Sequence, residues 1–316
     1  MATGQIAGGA FRHEAVLYRQ PAEYQSAVLG FVRDGVARAE PVLVAVPGAA
    51  AGAIRSGLDG QAKDVAFTDM TQLGRNPGRI MSAIWDFVDK HDGQRVRFVG
   101  EPVWPGRSAA EIREAVTHEA MINLAFAAVP ISVMCPYDAG RLAPAVMAGA
   151  ARTHPVISTA GGTRPSSDYA ADEQVRDAVA QPLPRPPGAA QRLAYTTDLR
   201  SIRGAVGAYA ERAGLRGDRL ADLVIAVSEV AANTLRHTPA GGSVCLWRAG
   251  EEVICEVGDR GWIADPLAGR RRPLGPGGLG LWVVNQVCDL VELRTGQQGT
   301  TVRMHMRLAL PEAACG

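Results

Sequence analysis

The sequence predicts two unlike domains in one chain: an α/β domain with a mostly parallel sheet, then an α+β domain whose helices layer on a mixed or antiparallel sheet. Three observations carry this. The 316 residues exceed the usual size of a single domain. From His13 to about Ser158, short β-branched runs alternate with longer amphipathic segments. Beyond a stretch rich in proline and glycine, the order changes to a strand, two helices, a hairpin, a helix and two strands.

In the first domain, residues 11–158, the runs "AVLY", "PVLVAVP", "DVAFTD", "RVRFVG" and "VPISVMCPYD" read as strands. Between them, "PAEYQSAVLGFVRDGVARAE", "NPGRIMSAIWDFVDKHD" and "SAAEIREAVTHEAMINLAF" carry helical periodicity. Such alternation implies βαβ units, whose crossover helices cover both faces of a parallel sheet. Residues 159–191 read as a linker with a short helical turn in its middle, because proline, glycine, serine and other small residues dominate "GGTRPSSDYAADEQVRDAVAQPLPRPPGAAQ". In the second domain, residues 192–310, "GGSVCLWRAGEEVICEVGDRG" reads as a hairpin turning at Ala249 to Glu252. A helix from about Leu279 to Asp289 and the strands "LVELRT" and "TTVRMHMRL" complete it. No internal repeat relates the two halves.

Composition narrows the function classes. Hydrophobic residues make up 47% of the chain and charged residues 21%, and the net charge of +1 offers no electrostatic footprint for direct nucleic-acid binding. The five cysteines are scattered, odd in number and without a CxxC pair, which argues against a zinc site or a disulfide framework and for a reducing compartment. "MATGQIAGGAFRHEAV" has no apolar signal core, and no run of about 18 apolar residues occurs, so the expectation is a soluble cytoplasmic protein without a membrane partner.

The chemistry concentrates in the second half. In "SEVAANTLRHT", Glu229 and Asn233 stand four residues apart, about one turn, and project from one helix face. A solvent-facing helix edge would account for that pair alone. "VGDRGWIADP" then ends a strand with Asp259, followed by Arg260 and Gly261, where glycine permits a sharp turn. After the basic stretch "AGRRRPLGPGG", "GGLGLWVV" places Gly277, Gly278 and Gly280 at a helix start, the setting in which backbone amides and the helix dipole receive phosphate. Finally, "GQQGTTVRM" sets Gly299, Thr300 and Thr301 at the start of the last strand.

In this order and spacing the four segments resemble the nucleotide-binding module shared by gyrase, heat-shock ATPase chaperones, histidine kinases and anti-sigma serine kinases. They look most like the anti-sigma factor kinases of partner-switching systems, over roughly Arg192 to Leu310. The resemblance implies ATP and Mg²⁺ as cofactors, with Asn233 as the Mg²⁺ ligand and Glu229 as general base for an attacking Ser or Thr hydroxyl. Asp259 would accept the adenine amino group, Gly261 would allow the turn beneath the base, Gly278 and Gly280 would lie against the phosphates, and Thr300 would support the adenine edge. It also implies a sigma factor and an anti-anti-sigma (STAS-type) protein as partners, and homodimerisation. A nucleotide-dependent binding regulator without kinase activity is the alternative; retention of Glu229 favours the kinase.

For Arg270, Arg271 and Arg272, in the lid position, contact with the γ-phosphate stands beside a solvated basic loop. His237 reads as a structural or helix-ending residue. A histidine kinase would need an acceptor histidine on a long dimerisation helix; His154, in "ARTHPVIS", stands beside a proline without one.

In the first half, "VPGAAAGAIRSGL" has the strand–loop–helix order of a phosphate loop but lacks GK[ST], which excludes a second triphosphate site there. For His118 and Glu119 a polar helix face, and for Cys135 a small buried hydrophobe, are the plain readings. Together "HEAVLY", "GEPVWPG", "HEAMINLAF" and "CPYD" resemble the MEDS sensory domain, over about Phe11 to Ser158. That implies a RecA-like order of elements and an unknown ligand or signal, with His13, Trp104, Glu119, Asn123 and Tyr137 as candidate pocket residues.

Overall fold

The computed structural model describes residues 11–238, 240–273, 275 and 278–308. The chain divides into two compact units, Met1–Val175 and Arg176–Gly316.

The first unit runs β1 (Phe11–Tyr18), α1 (Pro21–Ala37), β2 (Val42–Val46), α2 (Gly48–Leu58), β3 (Val65–Asp69), α3 (Met70–Leu73) and α4 (Pro77–Lys90). It continues with β4 (Val96–Gly100), α5 (Ala109–Ala125), β5 (Ile131–Asp138), α6 (Pro144–Thr153), β6 (Val156–Thr159) and β7 (Gly162–Pro165). The strands form one sheet in the order β3-β2-β4-β5-β1-β6-β7. Every pairing is parallel except that of β6 with β7. Both faces are covered, so β2 and β4 read as unbroken buried runs, VLVAV and VRFVG, rather than alternating ones. β7 and the next helix, α7 (Ala171–Ala180), occupy sequence that its proline and glycine content marks as linker.

Helix α5 decides where this unit keeps its polar groups. Ser108 and Glu111 close a reciprocal capping box at its start. It then buries Glu114, Thr117, His118 and Glu119 as well as Met121 and Ile122, so it is enclosed on more than one side. Polar side chains in such a helix need partners, because an unpaired buried polar group costs about 1–3 kcal/mol.

The second unit comprises β8 (Gln191–Tyr195), α8 (Leu199–Arg212), α9 (Gly217–His237), β9 (Gly242–Ala249), β10 (Glu252–Asp259), α10 (Leu279–Val287), β11 (Leu290–Gly296) and β12 (Gly299–Arg307). Its sheet, in the order β11-β12-β10-β9-β8, is antiparallel at every pairing. β9 and β10 turn through Gly250 and Glu251, with Gly250 at φ 57, as a two-residue hairpin requires. Helix α9 buries Leu223, Ala226, Val227, Val230, Ala231 and Thr234, one continuous stripe at helical spacing. No helix among the described residues is long and apolar enough to cross a membrane.

One buried ion network crosses three strands of this sheet. His305 Nδ1 lies 3.1 Å from Glu252 and its Nε2 3.1 Å from Glu292. Burial lowers the His305 pKa from its ordinary 6.5, but the hydrogen bonds to Glu252 and Glu292 outweigh that and leave it raised. The folded protein therefore binds this proton more tightly than the unfolded chain does. The resulting stabilisation is complete below pH 6.5 and is lost as pH rises through the folded value. Urea midpoints measured across that range should fall with rising pH, and His305→Gln should flatten the fall; an unchanged slope in the variant would contradict this.

Candidate functional site

The stripe that α9 buries leaves Glu229 and Asn233 half-buried at its margin. There they meet the start of α10. A Cβ placed on Gly280 would stand 2.9 Å from Glu229 Oε2 and 3.2 Å from Asn233 Nδ2, so glycine lets both side-chain ends rest against the helix start, and a larger residue would displace them. Gly278, the N-cap of α10, adopts φ 73 and offers no side-chain cap to the first helical amides. A carboxylate, a carboxamide and a helix N-terminus without a side-chain cap thus face one notch.

The end of β10 forms a second focus. Asp259 Oδ2 accepts a 2.6 Å hydrogen bond from the Thr234 hydroxyl, and its Oδ1 accepts from the Gly261 amide at 2.7 Å. Thr300 Oγ1 donates to the Gly261 carbonyl at 3.0 Å and lies 3.0 Å from Thr295 Oγ1, which in turn accepts from the Ile263 amide. A Cβ on Gly261 would lie 2.8 Å from Thr238 Oγ1, a buried hydroxyl without a hydrogen-bond partner. Asp259 is therefore fixed from both sides, and polar capacity remains beside it.

Between these foci runs the basic segment. Arg270 is buried, and the exposed Arg272 lies with its guanidinium 5.5 Å from the Trp282 ring centre. Asn285 of α10 holds the base of the segment by donating to the Gly269 carbonyl at 3.2 Å. Gly277 lies outside the described residues.

In the first unit a separate cluster forms. Glu119 Oε2 lies 3.2 Å from His13 Nε2 and 2.9 Å from His154 Nε2. Cys135 Sγ stands 3.6 Å from His13 Nε2, and Tyr137 presents its ring edge-on to His154 with centroids 5.6 Å apart. All five side chains are buried. Burial lowers the His13 pKa, with repulsion from His154 adding to it, and burial pushes the Cys135 thiol up.

Comparison with known families gives each unit a relative. Residues 12–155 match the MEDS family, described as the methanogen/methylotroph DcmR sensory domain, and residues 193–306 match the histidine kinase-like ATPase domain. The chain joins a MEDS domain to a histidine kinase-like ATPase domain. Among solved structures, the RsbU and RsbW domains of Rv1364c from Mycobacterium tuberculosis are similar at 23% identity and a TM-score of 0.31. That likeness covers 40% of this chain and 34%, about a third, of the other. No curated protein matches the chain.

An ATPase domain is built to bind ATP, and the donor set fits that ligand. The Gly278–Gly280 start of α10 offers the phosphates a close approach, and Asp259 with the unpartnered Thr238 hydroxyl offers an amino-purine its hydrogen bonds. A neutral carboxamide oxygen, Asn233 Oδ1, is a suitable hard ligand for Mg²⁺. In the structure that oxygen accepts from Arg236 Nη1 at 2.9 Å, a cationic donor in the position where the resemblance sets the metal.

The structure gathers the sequence-predicted residues into these groups. Glu229, Asn233 and Gly280 come together with Gly278 at the α10 start, and Asp259, Gly261 and Thr300 come together at the β10 end. Sequence reasoning missed Thr234, Thr238 and Thr295; Thr234 lies five residues after Glu229 in the same quoted motif, and its single hydroxyl gave no pattern to read. His237 is the last residue of α9, and it is exposed. In the MEDS domain, His13, Glu119, Asn123 and Tyr137 do gather around one point, whereas Trp104 lies elsewhere, beneath the Arg107 guanidinium at 4.3 Å. His118 and Glu119 form a polar face of α5 that is buried, and Glu119 meets His13 and His154 there. Cys135 is buried as expected but touches an imidazole instead of purely apolar neighbours.

Gly280→Ala should lower ATP affinity roughly tenfold or more, a change of ~1.4 kcal/mol, by displacing Glu229 and Asn233. Its melting temperature should hardly move, since alanine favours helix over glycine by about 1 kcal/mol. Titration calorimetry and thermal denaturation on the same preparation check both; unchanged affinity would remove Gly280 from the site.

Proposed function

We propose that the ATPase domain is an anti-sigma protein kinase. It binds ATP with Mg²⁺, holds a sigma factor inactive, and transfers the γ-phosphoryl group to a Ser or Thr of an anti-anti-sigma (STAS-type) antagonist. The observation that carries this reading is the placement of Glu229 against the glycine start of α10, one turn from Asn233. A module that only bound nucleotide would need no carboxylate at that point.

Glu229 would take the proton of the attacking hydroxyl, and its approach to Gly280 keeps it beside the phosphate-receiving amides. Asn233 would hold Mg²⁺, which supplies charge neutralisation to the phosphates. Asp259, held by Thr234 and the Gly261 amide, would accept from the adenine amino group, so binding energy at the base positions the reacting end. Thr300, tied to Gly261 and Thr295, keeps the floor beneath the base in place. The MEDS domain would adjust this activity through its own ligand or signal.

A nucleotide-shaped binding regulator without kinase activity is the second reading. It is favoured by the Arg236 hydrogen bond to Asn233, which takes the metal-binding oxygen.

Purified protein given Mg²⁺ and γ-labelled ATP should label one anti-anti-sigma partner. Glu229→Gln should lower that transfer at least ~100-fold, the contribution of a general base, while leaving ATP affinity within about threefold. Asn233→Ala should lose Mg²⁺-dependent binding. Tight ATP binding with no transfer to any antagonist would leave the binding regulator standing.

A further inference from the structure

The buried cluster of the MEDS domain has no part in nucleotide chemistry, and its hydrogen bonding calls for a cation. Asn123 fixes the orientation of His13. Its amide nitrogen donates to the carbonyls of Glu119, Ala120 and Thr153 at 3.1, 3.2 and 2.8 Å, so its oxygen is the atom that faces His13 Nδ1 at 3.2 Å. An oxygen there accepts, hence the Nδ1 of His13 carries the proton. His154 is fixed in the same way, because its Nδ1 lies 2.9 Å from the Ala150 carbonyl oxygen, which can only accept. In their neutral forms both imidazoles therefore direct the lone pair of Nε2 inward, toward the same carboxylate oxygen of Glu119.

Two lone pairs and a carboxylate oxygen repel unless positive charge stands between them. One proton serves only one of the two nitrogens. A divalent ion serves both, together with Glu119 and the sulfur of Cys135. The four ligand atoms already lie within 4.8 Å of one another, and separations running from 2.9 Å through 3.2 and 3.6 Å up to that bound bracket the edges, about 3.3–3.7 Å, of a tetrahedron with Zn–N, Zn–O and Zn–S bonds. Charge also closes: two neutral imidazoles, a carboxylate and a thiolate neutralise a doubly charged ion, as a site with no exposure to water requires. Asn123 and the Ala150 carbonyl supply the outer hydrogen bonds that orient metal-binding histidines.

We infer that His13, Glu119, Cys135 and His154 form a closed, four-coordinate site for a zinc-type divalent ion in the MEDS domain. Nitrogen and thiolate ligands in tetrahedral order select zinc over the hard cations that take oxygen only. With four protein ligands and no route for water, the ion is structural. It clips α5 and the end of α6 to the neighbouring strands β1 and β5, which pair Ala15 with Cys135. The separations of 106, 16 and 19 residues between successive ligands explain why no spacing motif announces the site.

The test uses the full chain, purified without chelator from cells supplied with zinc. Mass spectrometry of the metal content should give about one zinc per chain, falling to less than about a fifth of that in Cys135→Ser and in His154→Ala. Because these variants can fail to fold, the wild-type protein is also stripped and reloaded with Co²⁺, with circular dichroism confirming the fold. Reloading should produce the intense visible bands of tetrahedral cobalt and a thiolate charge-transfer band that folded Cys135→Ser lacks. Folded wild-type protein that carries no stoichiometric zinc and gives no such bands overturns the site. So does a charge-transfer band that persists in Cys135→Ser. Neither outcome depends on the kinase reading.

Discussion

The partition of one helix governs the ATPase domain. α9 must bury Leu223, Ala226, Val227, Val230, Ala231 and Thr234 to close the core, and that rotation leaves Glu229 and Asn233 no choice of direction. Thr234, the last of the stripe, is polar, and it spends its hydroxyl on Asp259. The same face that packs the domain therefore also sets the position of the Asp259 carboxylate. Glycine at 280 then completes the arrangement, because a side chain there would displace the ends of Glu229 and Asn233 from the start of α10.

The two candidate sites differ in how deeply their polar groups are buried. In the ATPase domain Glu229 and Asn233 lie half-buried at the edge of the core, apart from the enclosed His305 and Glu292 network of its sheet. In the MEDS domain the polar groups of the site are enclosed, with His13 and His154 fully buried and Glu119 nearly so. Enclosed ionisable groups persist only when paired or ligated, and the hydrogen bonds that both imidazoles donate to Asn123 Oδ1 and the Ala150 carbonyl orient them toward a common centre. A buried His154 also excludes it as a phosphoacceptor, since no partner active site can reach it.

The alternation of strands and helices in the first half and the hairpin in the second were legible because hydrophobic period and turn residues act locally. That Glu229, Asn233 and Gly280 come together, and Asp259, Gly261 and Thr300 likewise, was legible because they fall in four short boxes, each on one element. Thr234 and Thr295 were not, because a threonine within a helix or strand declares nothing until its partner across the fold is known. In the MEDS cluster the resemblance pointed to His13 and Glu119 but not to Cys135 and His154 beside them, because the four come from β1, α5, β5 and the end of α6, and parallel crossovers bring together residues far apart in sequence. β7 was hidden inside a segment that reads as linker, because an edge strand of Gly, Thr, Arg and Pro, exposed along its length, lacks any apolar signal.

The central claim is that the notch between α9 and α10 receives the phosphates and metal of ATP. A crystal structure with Mg²⁺ and a non-hydrolysable ATP analogue tests it most directly. In that complex Arg236 should release Asn233 Oδ1 to the metal, the phosphates should lie on the amides at the start of α10, and Asp259 should accept from the adenine amino group. A nucleotide bound with Asn233 still held by Arg236, or bound away from Gly280, would contradict it.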